Sequence, residues 1–399
     1  MWLMLGAAMN QLPSGVLGVG VLTGIRQLST IVGTLIGGVI ADHGRVLIRQ
    51  LWTEGLQLVS ALVLLVTISP LISLSGEQTT QAFLLWSLFR FGIGGVSFVL
   101  GFRLLAVSQK SLGNTARTHL LVNQGATLFA PVLGLALPLI TPAPLIAAVI
   151  FDALTTLAYI FALLRARGTE LDVTRNDLEI AVAENSSLGT RLFDSAFSLW
   201  RDGTRPWNAL QFLSLFAISG YAVFCLQTAV KLQGGSLESR YAFLSLLYGI
   251  ALWGVALWSL RKSPTESGLS GSKLNRLRSR MMAGATFLAC SGVIDFILPG
   301  QRLNAQGLLL VSFACYVFAF WLLLDCTNQG VLLGVSSEKA GKVRSSMVFH
   351  LCLIFGVAEG IFGWLYSLGD VGVLWIGGSR ILLGIALAGF VLLLVRKSR

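Results

Sequence analysis

Long apolar stretches separated by short polar segments recur along most of the chain. Each stretch can cross about 30 Å of hydrocarbon, because an α-helix rises about 1.5 Å per residue. The eleven stretches are residues 14–41, 48–71, 81–104, 119–140, 142–164, 207–230, 240–260, 281–298, 304–328, 346–367 and 371–395. The pattern predicts an all-α polytopic membrane protein.

A shorter apolar segment over residues 2–12 precedes these spans. As a helix it would extend about 16 Å, which is roughly half a bilayer. The first charged residue is Arg26, so the segment lacks the basic start of a signal peptide. We expect it to be the exit end of an incomplete first helix, with an upstream in-frame start encoding the rest.

One long polar interruption divides the spans into two sets of six when the incomplete helix is counted. We predict an N-terminal six-helix half over 1–165, a cytoplasmic central loop over 166–205 and a C-terminal six-helix half over 206–399. Apolar side chains recur at helical spacing inside the loop, at Leu192, Phe193, Ala196, Phe197 and Trp200. They fit either a helix lying on the membrane interface or a helix packed under the bundle as a cover.

Composition and charge agree with this topology. The chain is 55% hydrophobic and only 12% charged, whereas a soluble domain carries about 25% charged residues. If the loops alternate across the membrane, 23 of the 29 Lys and Arg residues fall on one side, together with the C-terminus. The positive-inside rule makes that side cytoplasmic. The net charge of +11 therefore needs no nucleic-acid partner, because anionic lipid headgroups can balance it.

Several functional classes are excluded by missing motifs. The five cysteines form no CxxC pair and no cluster with histidine, so neither a disulfide framework nor a metal site is expected. The phosphate-binding and hydrolase motifs GxxxxGK[ST], HExxH, GxSxG and GxGxxG are absent from the sequence. We expect a protein that is not an enzyme, has no cofactor and, if it transports actively, uses an ion gradient.

The most informative residues are ionisable side chains inside the apolar stretches. Each charge costs on the order of 2.5–3.5 kcal/mol at a helix centre, so such residues tend to face partners or a water-filled cavity. They are Arg26, Glu54, Arg90, Asp152, Asp295, Asp325, His350, Glu359 and Arg380.

Glu54 and Glu359 are predicted to be the proton-accepting acids, with Arg26 and Arg90 as the fixed charges that modulate them. This choice follows because an apolar site favours the neutral acid and a nearby arginine favours the carboxylate. The remaining candidates, for a substrate cavity or for charge pairing, are Asp152, Asp325, His350 and Arg380. His350 lies nine residues before Glu359, about 180° away around a helix, so the two side chains need not meet.

Three partial motifs resemble those of the major facilitator superfamily. The sequence Gly37-Gly38-Val39-Ile40-Ala41-Asp42-His43-Gly44-Arg45 is similar to the superfamily's signature between its second and third helices, with one residue fewer between the aspartate and the glycine. Arg90-Phe91-Gly92-Ile93-Gly94 is similar to its second motif, with isoleucine replacing a glutamine. Residues 126–134, which include Ala130, Pro131 and Gly134, resemble a degraded form of the motif of its drug/proton antiporters.

The resemblance implies a twelve-helix, two-domain fold that works by alternating access. It implies that Gly38, Asp42 and Arg45 belong to a cytoplasmic gating latch and that Arg90 takes part in proton coupling. The turn at Pro131 implies efflux more than uptake. Within the superfamily the chain most resembles bacterial exporters of macrolides and siderophores, which implies an inner-membrane location.

The leading hypothesis is a monomeric, proton-coupled exporter of an amphipathic small molecule, with that molecule, protons and membrane lipids as its partners. An uptake symporter for a polar metabolite is the first alternative, since inward-facing charges would also bind such a substrate. A transport-inactive membrane scaffold or sensor is the second, because the motifs are eroded and the first helix is short.

Overall fold

The computed structural model describes residues 15–41, 46–68, 76–108, 140–141, 144–166, 188–202, 205–234, 237–261, 271–298, 305–332, 335 and 340–396. Within these ranges the regular structure is helical throughout. The helices are α1 (Gly15–Ala41), α2 (Val46–Ile68), α3 (Gly76–Ser108), α4 (Pro144–Ala166), α5 (Leu188–Asp202), α6 (Arg205–Ala217), α7 (Tyr221–Lys231), α8 (Leu237–Arg261), α9 (Gly271–Ile297), α10 (Ala305–Val331), α11 (Ala340–Ser367) and α12 (Asp370–Arg396). The prediction of an all-α polytopic protein is confirmed.

Seven stretches among the described residues are long and apolar enough to cross a membrane. They are Val46–Ile68, Leu85–Leu104, Pro206–Lys231, Leu274–Ile297, Ala305–Val331, Val343–Ser367 and Asp370–Leu393. Helices form there because lipid offers no hydrogen-bond partners, so each backbone amide must be satisfied within its own segment. Helices α1, α4 and α8 coincide with three further predicted spans. The predicted span over 119–140 and the short segment over 2–12 lie almost wholly outside the described residues.

Helix α1 packs between α3 and α11. Glycine makes the contact with α3 close, since a Cβ atom on Gly33 would collide with the carbonyl oxygen of Gly92. The hydroxyl of Ser29 donates to the carbonyl oxygen of Leu88 across the same contact. Small residues let membrane helices approach in this way.

Helices α9 and α12, in the C-terminal part of the chain, also approach each other closely at glycines. A Cβ atom on Gly292 would lie 2.6 Å from the carbonyl oxygen of Gly377, and one on Gly377 would lie 2.9 Å from the carbonyl oxygen of Gly292. The other contacts of this group join α10 to α9, α6 and α8. Helix α10 is largely enclosed, with buried side chains on nearly every turn.

Helix α5, from the predicted central loop, packs against α11 and α1. Its backbone is tied to α11 by Ser346, whose hydroxyl accepts from the Leu199 amide at 3.1 Å and donates to the Ala196 carbonyl at 2.5 Å. One face of α5 therefore covers the bundle, as one of the two interpretations of this segment requires.

Candidate functional site

The membrane span Pro206–Lys231 is interrupted inside the bundle. Helix α6 ends at Ala217 and α7 begins at Tyr221. Between them Gly220 has a φ of +81°, a left-handed conformation that glycine adopts without steric cost. The Tyr316 hydroxyl of α10 donates to the carbonyl oxygens of Ile218 and Ser219, at 2.5 and 2.9 Å. This tyrosine satisfies backbone groups that the interruption leaves without helical partners.

The first amides of α7 are held by a buried carboxylate. Glu359 of α11 is only 2% exposed, and its two oxygens accept from the amides of Ala222 and Val223 at 3.0 and 3.1 Å. Amides in the first turn of a helix lack partners within the helix and carry its positive dipole end, which favours an anion. Glu359 thus joins α11 to the interrupted span.

Arg26 of α1 interacts electrostatically with the same carboxylate. Its guanidinium also lies 4.9 Å from the ring centroid of Phe91 on α3. Tyr241 and Tyr248 of α8 also interact electrostatically with Arg26. Glu359 therefore binds α7 through hydrogen bonds and interacts with α1 through the charge of Arg26.

A second buried acid, Glu54, lies in a polar network on α2. The side-chain amides of Gln50 and Gln57 donate to Glu54 Oε1 at 2.8 and 3.4 Å, and the Ser97 hydroxyl of α3 donates to the same oxygen. The three α2 residues recur at intervals of four and three, so they share one helix face. Glu54 is 5% exposed and bonds neutral donors.

Arg90 of α3 pairs with Asp152 of α4, with Nη2 at 2.8 and 2.9 Å from the two carboxylate oxygens. Its Nη1 donates to the Gln57 side-chain oxygen. The structure thus connects Arg90 to Glu54 through Gln57, while the direct ion pair is with Asp152. Asp152 is thus the ion-pair partner of Arg90.

Arg380 of α12 and Asp295 of α9 form a second ion pair, which is almost fully enclosed, with 1% and 3% of the two side chains exposed. The Ser312 hydroxyl donates to Asp295 Oδ1 at 2.5 Å. The guanidinium carbon lies 4.0 Å from the ring centroid of Phe224 and 4.3 Å from that of Tyr316. Through these rings the pair supports α7 and the tyrosine that binds the helix interruption.

Two further candidates lie apart from these clusters. Asp325 pairs with Arg280 of α9 at 3.6 Å and accepts from the Gln329 side chain at 2.9 Å. His350 lies at the other end of α11 from Glu359, where its Nε2 accepts from the Trp200 indole at 3.2 Å. The two α11 residues do not share a site, in agreement with the helical-wheel argument.

Gly38 lies where α1 meets α5 and α11. A Cβ atom at this position would approach the Ser345 Oγ to 2.6 Å and would also contact the Ser195 Oγ. The other residues of the predicted gating motif, Asp42 and Arg45, lie outside the described residues. The same holds for the antiporter-like turn at Ala130, Pro131 and Gly134.

Sequence reasoning missed several partners of the buried charges. The polar stripe of Gln50, Glu54 and Gln57 is visible in the sequence as three polar residues on one face of an apolar span. The Ser219-Gly220 pair inside the predicted span 207–230 is a known break signal. Nothing in the sequence marks Tyr316 as the residue that would bind the freed carbonyls. Among the described residues, no three His, Cys, Asp or Glu side chains group as metal ligands would.

No protein-family model and no curated protein matches the chain. Solved structures do match over nearly its whole length. The nucleoside transporter NupG, in a point-mutant form, has a TM-score of 0.62 at 15% identity, with 97% of this chain and 94% of that chain covered. The chain has a transporter fold.

Two other matches are of the same kind. The human organic anion transporter MFSD10 (TETRAN) has a TM-score of 0.58 at 18% identity, covering 97% of this chain and 89% of that one. The peptide transporter POT, a point mutant in complex with alafosfalin, has a TM-score of 0.62 at 12% identity, covering 94% and 85%. At these identities the likeness concerns the fold, and the site has to be argued from its own residues.

Proposed function

We propose that the chain is a secondary transporter that moves a small molecule by alternating access. The observation that carries the proposal is Glu359, a buried acid that holds the start of an interrupted helix and faces Arg26 of α1. Discontinuous helices at the boundary between repeats are where transporters bind substrates and coupling ions. The proteins with similar structures are transporters of organic anions, nucleosides or peptides. The shared fold supports transport as the activity of this chain.

The hydrogen bonds of Glu359 support a role in proton coupling. Both carboxylate oxygens accept from backbone amides. A proton on either oxygen would place an O–H donor against an N–H donor, which breaks one bond to α7 and removes the charge that faces Arg26. Protonation would therefore loosen α11 from α7 and α1 together. We propose the same role for Glu54, with Arg90 reaching it through Gln57.

The finer assignment rests on the resemblance described above. We propose a monomeric exporter of an amphipathic small molecule, built as a six-plus-six bundle with its halves over 1–165 and 206–399 and its central loop over 166–205. It would lie in a bacterial inner membrane with a cytoplasmic C-terminus. Asp42 and Arg45 would form the gating latch with Gly38, and the turn at Ala130, Pro131 and Gly134 would favour the outward-directed cycle.

Transport in everted membrane vesicles tests the proposal. A compound to which expressing cells are more resistant than deletion cells would supply the substrate. We expect a proton gradient, acid inside, to drive its accumulation by wild-type vesicles. Glu359→Gln, Glu54→Gln and Arg90→Ala should abolish this accumulation. The two glutamine variants should retain exchange of external for internal substrate, because they imitate the protonated acid.

Asp370→Asn is the control, since Asp370 is an exposed acid at the start of α12. Gradient-driven accumulation equal to wild type in both glutamine variants would refute the coupling mechanism. Flux in the opposite direction would indicate the uptake symporter. Absence of both flux and exchange in reconstituted wild-type protein, across the compounds that alter growth, would indicate the scaffold or sensor.

A further inference from the structure

Helix α5 has a second face that the protein leaves uncovered. Its packed face consists of Ser195, Ala196, Ser198 and Leu199, all of which are buried. Phe193, Phe197 and Trp200 lie on the opposite side of the helix, because their spacing of four and three residues places them in one row. They are 63%, 43% and 43% exposed. We call these three residues the α5 aromatic face.

The α5 aromatic face is continuous with the surface of two membrane spans. The Phe197 ring centroid lies 6.4 Å from that of Phe349 on α11, and the Trp200 ring centroid lies 5.3 Å from that of Phe212 on α6. Phe349 and Phe212 are each the seventh residue of their spans, about 9 Å along the helix from the first residue. Large apolar side chains continue along the exposed side of α11, at Leu353, Val357, Ile361 and Trp364.

The polar groups of this face are already satisfied by the protein. The Trp200 indole N–H donates to His350 Nε2 at 3.2 Å, so the ring needs no partner from water. Arg201 pairs with Asp194 at 3.1 Å on the flank of the helix. Helix α5 carries two arginines and two aspartates in all. What it presents outward is therefore an uncharged aromatic surface.

We propose that the α5 aromatic face binds the bilayer and holds α5 in the interfacial layer of the membrane. Amphipathic helices bury their apolar face about 5–10 Å into the boundary between headgroups and acyl chains, which is comparable to the distance of Phe349 and Phe212 from the first residues of their apolar spans. Tryptophan favours the same layer. Because α5 has no excess charge, the aromatic surface alone recognises the lipid, and zwitterionic lipid suffices.

The packed face of α5 lies on the α1–α11 contact. Lipid bound to the α5 aromatic face therefore anchors a helix that packs against both α1 and α11. The Ser195 and Ser345 hydroxyls are 3.0 Å apart, and Ser345 donates to the Thr34 carbonyl of α1 at 3.2 Å. The same short helix thus contacts the bilayer on one side and both transmembrane helices on the other.

Spin-label accessibility tests the proposal without reference to transport. Single cysteines would replace Phe193 and Phe197, with Arg201, whose side chain is 57% exposed, as the control position. The background is the full chain with its five cysteines, Cys225, Cys290, Cys315, Cys326 and Cys352, changed to alanine. Labels at exposed positions leave the core intact, which a native elution profile on size exclusion would verify.

In phosphatidylcholine nanodiscs we expect labels at Phe193 and Phe197 to collide with oxygen several times more often than with a water-soluble nickel chelate. The label at Arg201 should show the reverse. Equal nickel access at Phe193 and Arg201 would place the face in water and overturn the proposal. Protection from both reagents would indicate a second copy or another protein on the face, which also overturns it.

Varying the charge of the lipid distinguishes binding through the aromatic surface from binding through charged headgroups. Adding phosphatidylglycerol to the nanodiscs should leave the ratio of oxygen to nickel collisions unchanged. Oxygen-favoured access that occurs only with phosphatidylglycerol would contradict recognition by the aromatic surface. These outcomes do not depend on whether the chain transports anything.

Discussion

Asp295 and Arg380 illustrate how a charge inside the membrane depends on one particular partner. The pair is almost fully enclosed, the Ser312 hydroxyl binds the carboxylate, and two aromatic rings face the guanidinium. Removing one partner of a buried pair leaves a charge in an apolar site and costs about 3–5 kcal/mol. Replacing both partners by neutral groups removes that cost.

We therefore expect Arg380→Met to lower the melting temperature in detergent strongly and the double variant Asp295→Asn/Arg380→Met to recover most of the loss. Arg201→Met is the matched control, because it breaks the exposed pair with Asp194 and should cost less than about 1 kcal/mol. A double variant no more stable than Arg380→Met would mean that ring contacts, and not charge, dominate at this position.

At the scale of single residues, the sequence predicted which charges lie in the membrane but left their partners open. Arg90 was expected to modulate the proposed proton-accepting acids, and the structure connects it to Glu54 through Gln57, with Asp152 as its direct partner. These pairings depend on the rotation of each helix about its axis. Packing against helices that are distant in the sequence determines this rotation. It therefore cannot be predicted from the sequence of each span alone.

At the scale of helices, the sequence predicted the spans and missed the interruption within one of them. Residues 207–230 are apolar throughout, so hydropathy reads them as one helix. The structure divides this segment at Ser219 and Gly220 because Tyr316 and Glu359 bind the backbone groups that the division exposes. A helix break is stable only with such partners. Here they are Tyr316 of α10, 98 residues after Ile218, and Glu359 of α11, 137 residues after Ala222.

The meeting of α1, α5 and α11 gives a prediction about helix contact. Gly38→Val would place methyl groups against the Ser195 and Ser345 hydroxyls and should force α5 and α11 away from α1. The yield of the disulfide in the double variant Thr34→Cys/Ser345→Cys, made in the cysteine-free background, would report the separation of α1 from α11. We expect its yield to fall severalfold.

Gly360→Val is the control for this experiment, because no atom lies within 4 Å of a Cβ at that position of α11. It makes the same chemical change on a helix that shares the contact. An undiminished disulfide yield in Gly38→Val would show that the contact can accommodate a side chain.

At the scale of the whole molecule, the predicted all-α membrane fold is confirmed, and the three similar proteins named above are transporters. The division of the chain into two sets of six spans rests on counting the apolar stretches. It remains a proposal, since part of the N-terminal set lies outside the described residues. Function was predicted from buried charge, which fold similarity supports only at the level of the class. Substrate identity depends on the shape of the cavity between helices, which hydropathy does not encode.

The alternating-access cycle that we propose would open and close the α1–α11 contact once in each turn. Thr34 and Ser345 are adjacent across that contact, so a Thr34→Cys/Ser345→Cys disulfide should stop substrate flux in vesicles. A reducing agent should restore it, and each single cysteine should behave like the background. Full flux in the oxidised double variant would show that these helix ends stay together, which contradicts a cycle that opens here.

The Asp295–Arg380 pair also has a consequence for biosynthesis. The two residues are 85 positions apart, so α9 leaves the ribosome well before α12 exists to supply its counter-charge. Until then Asp295 must remain protonated, stay in contact with water at the translocon or rely on a chaperone. We therefore expect α9 to settle fully into lipid only when the last helix is complete, and a nascent chain stalled before α12 to be a substrate for membrane quality-control proteases.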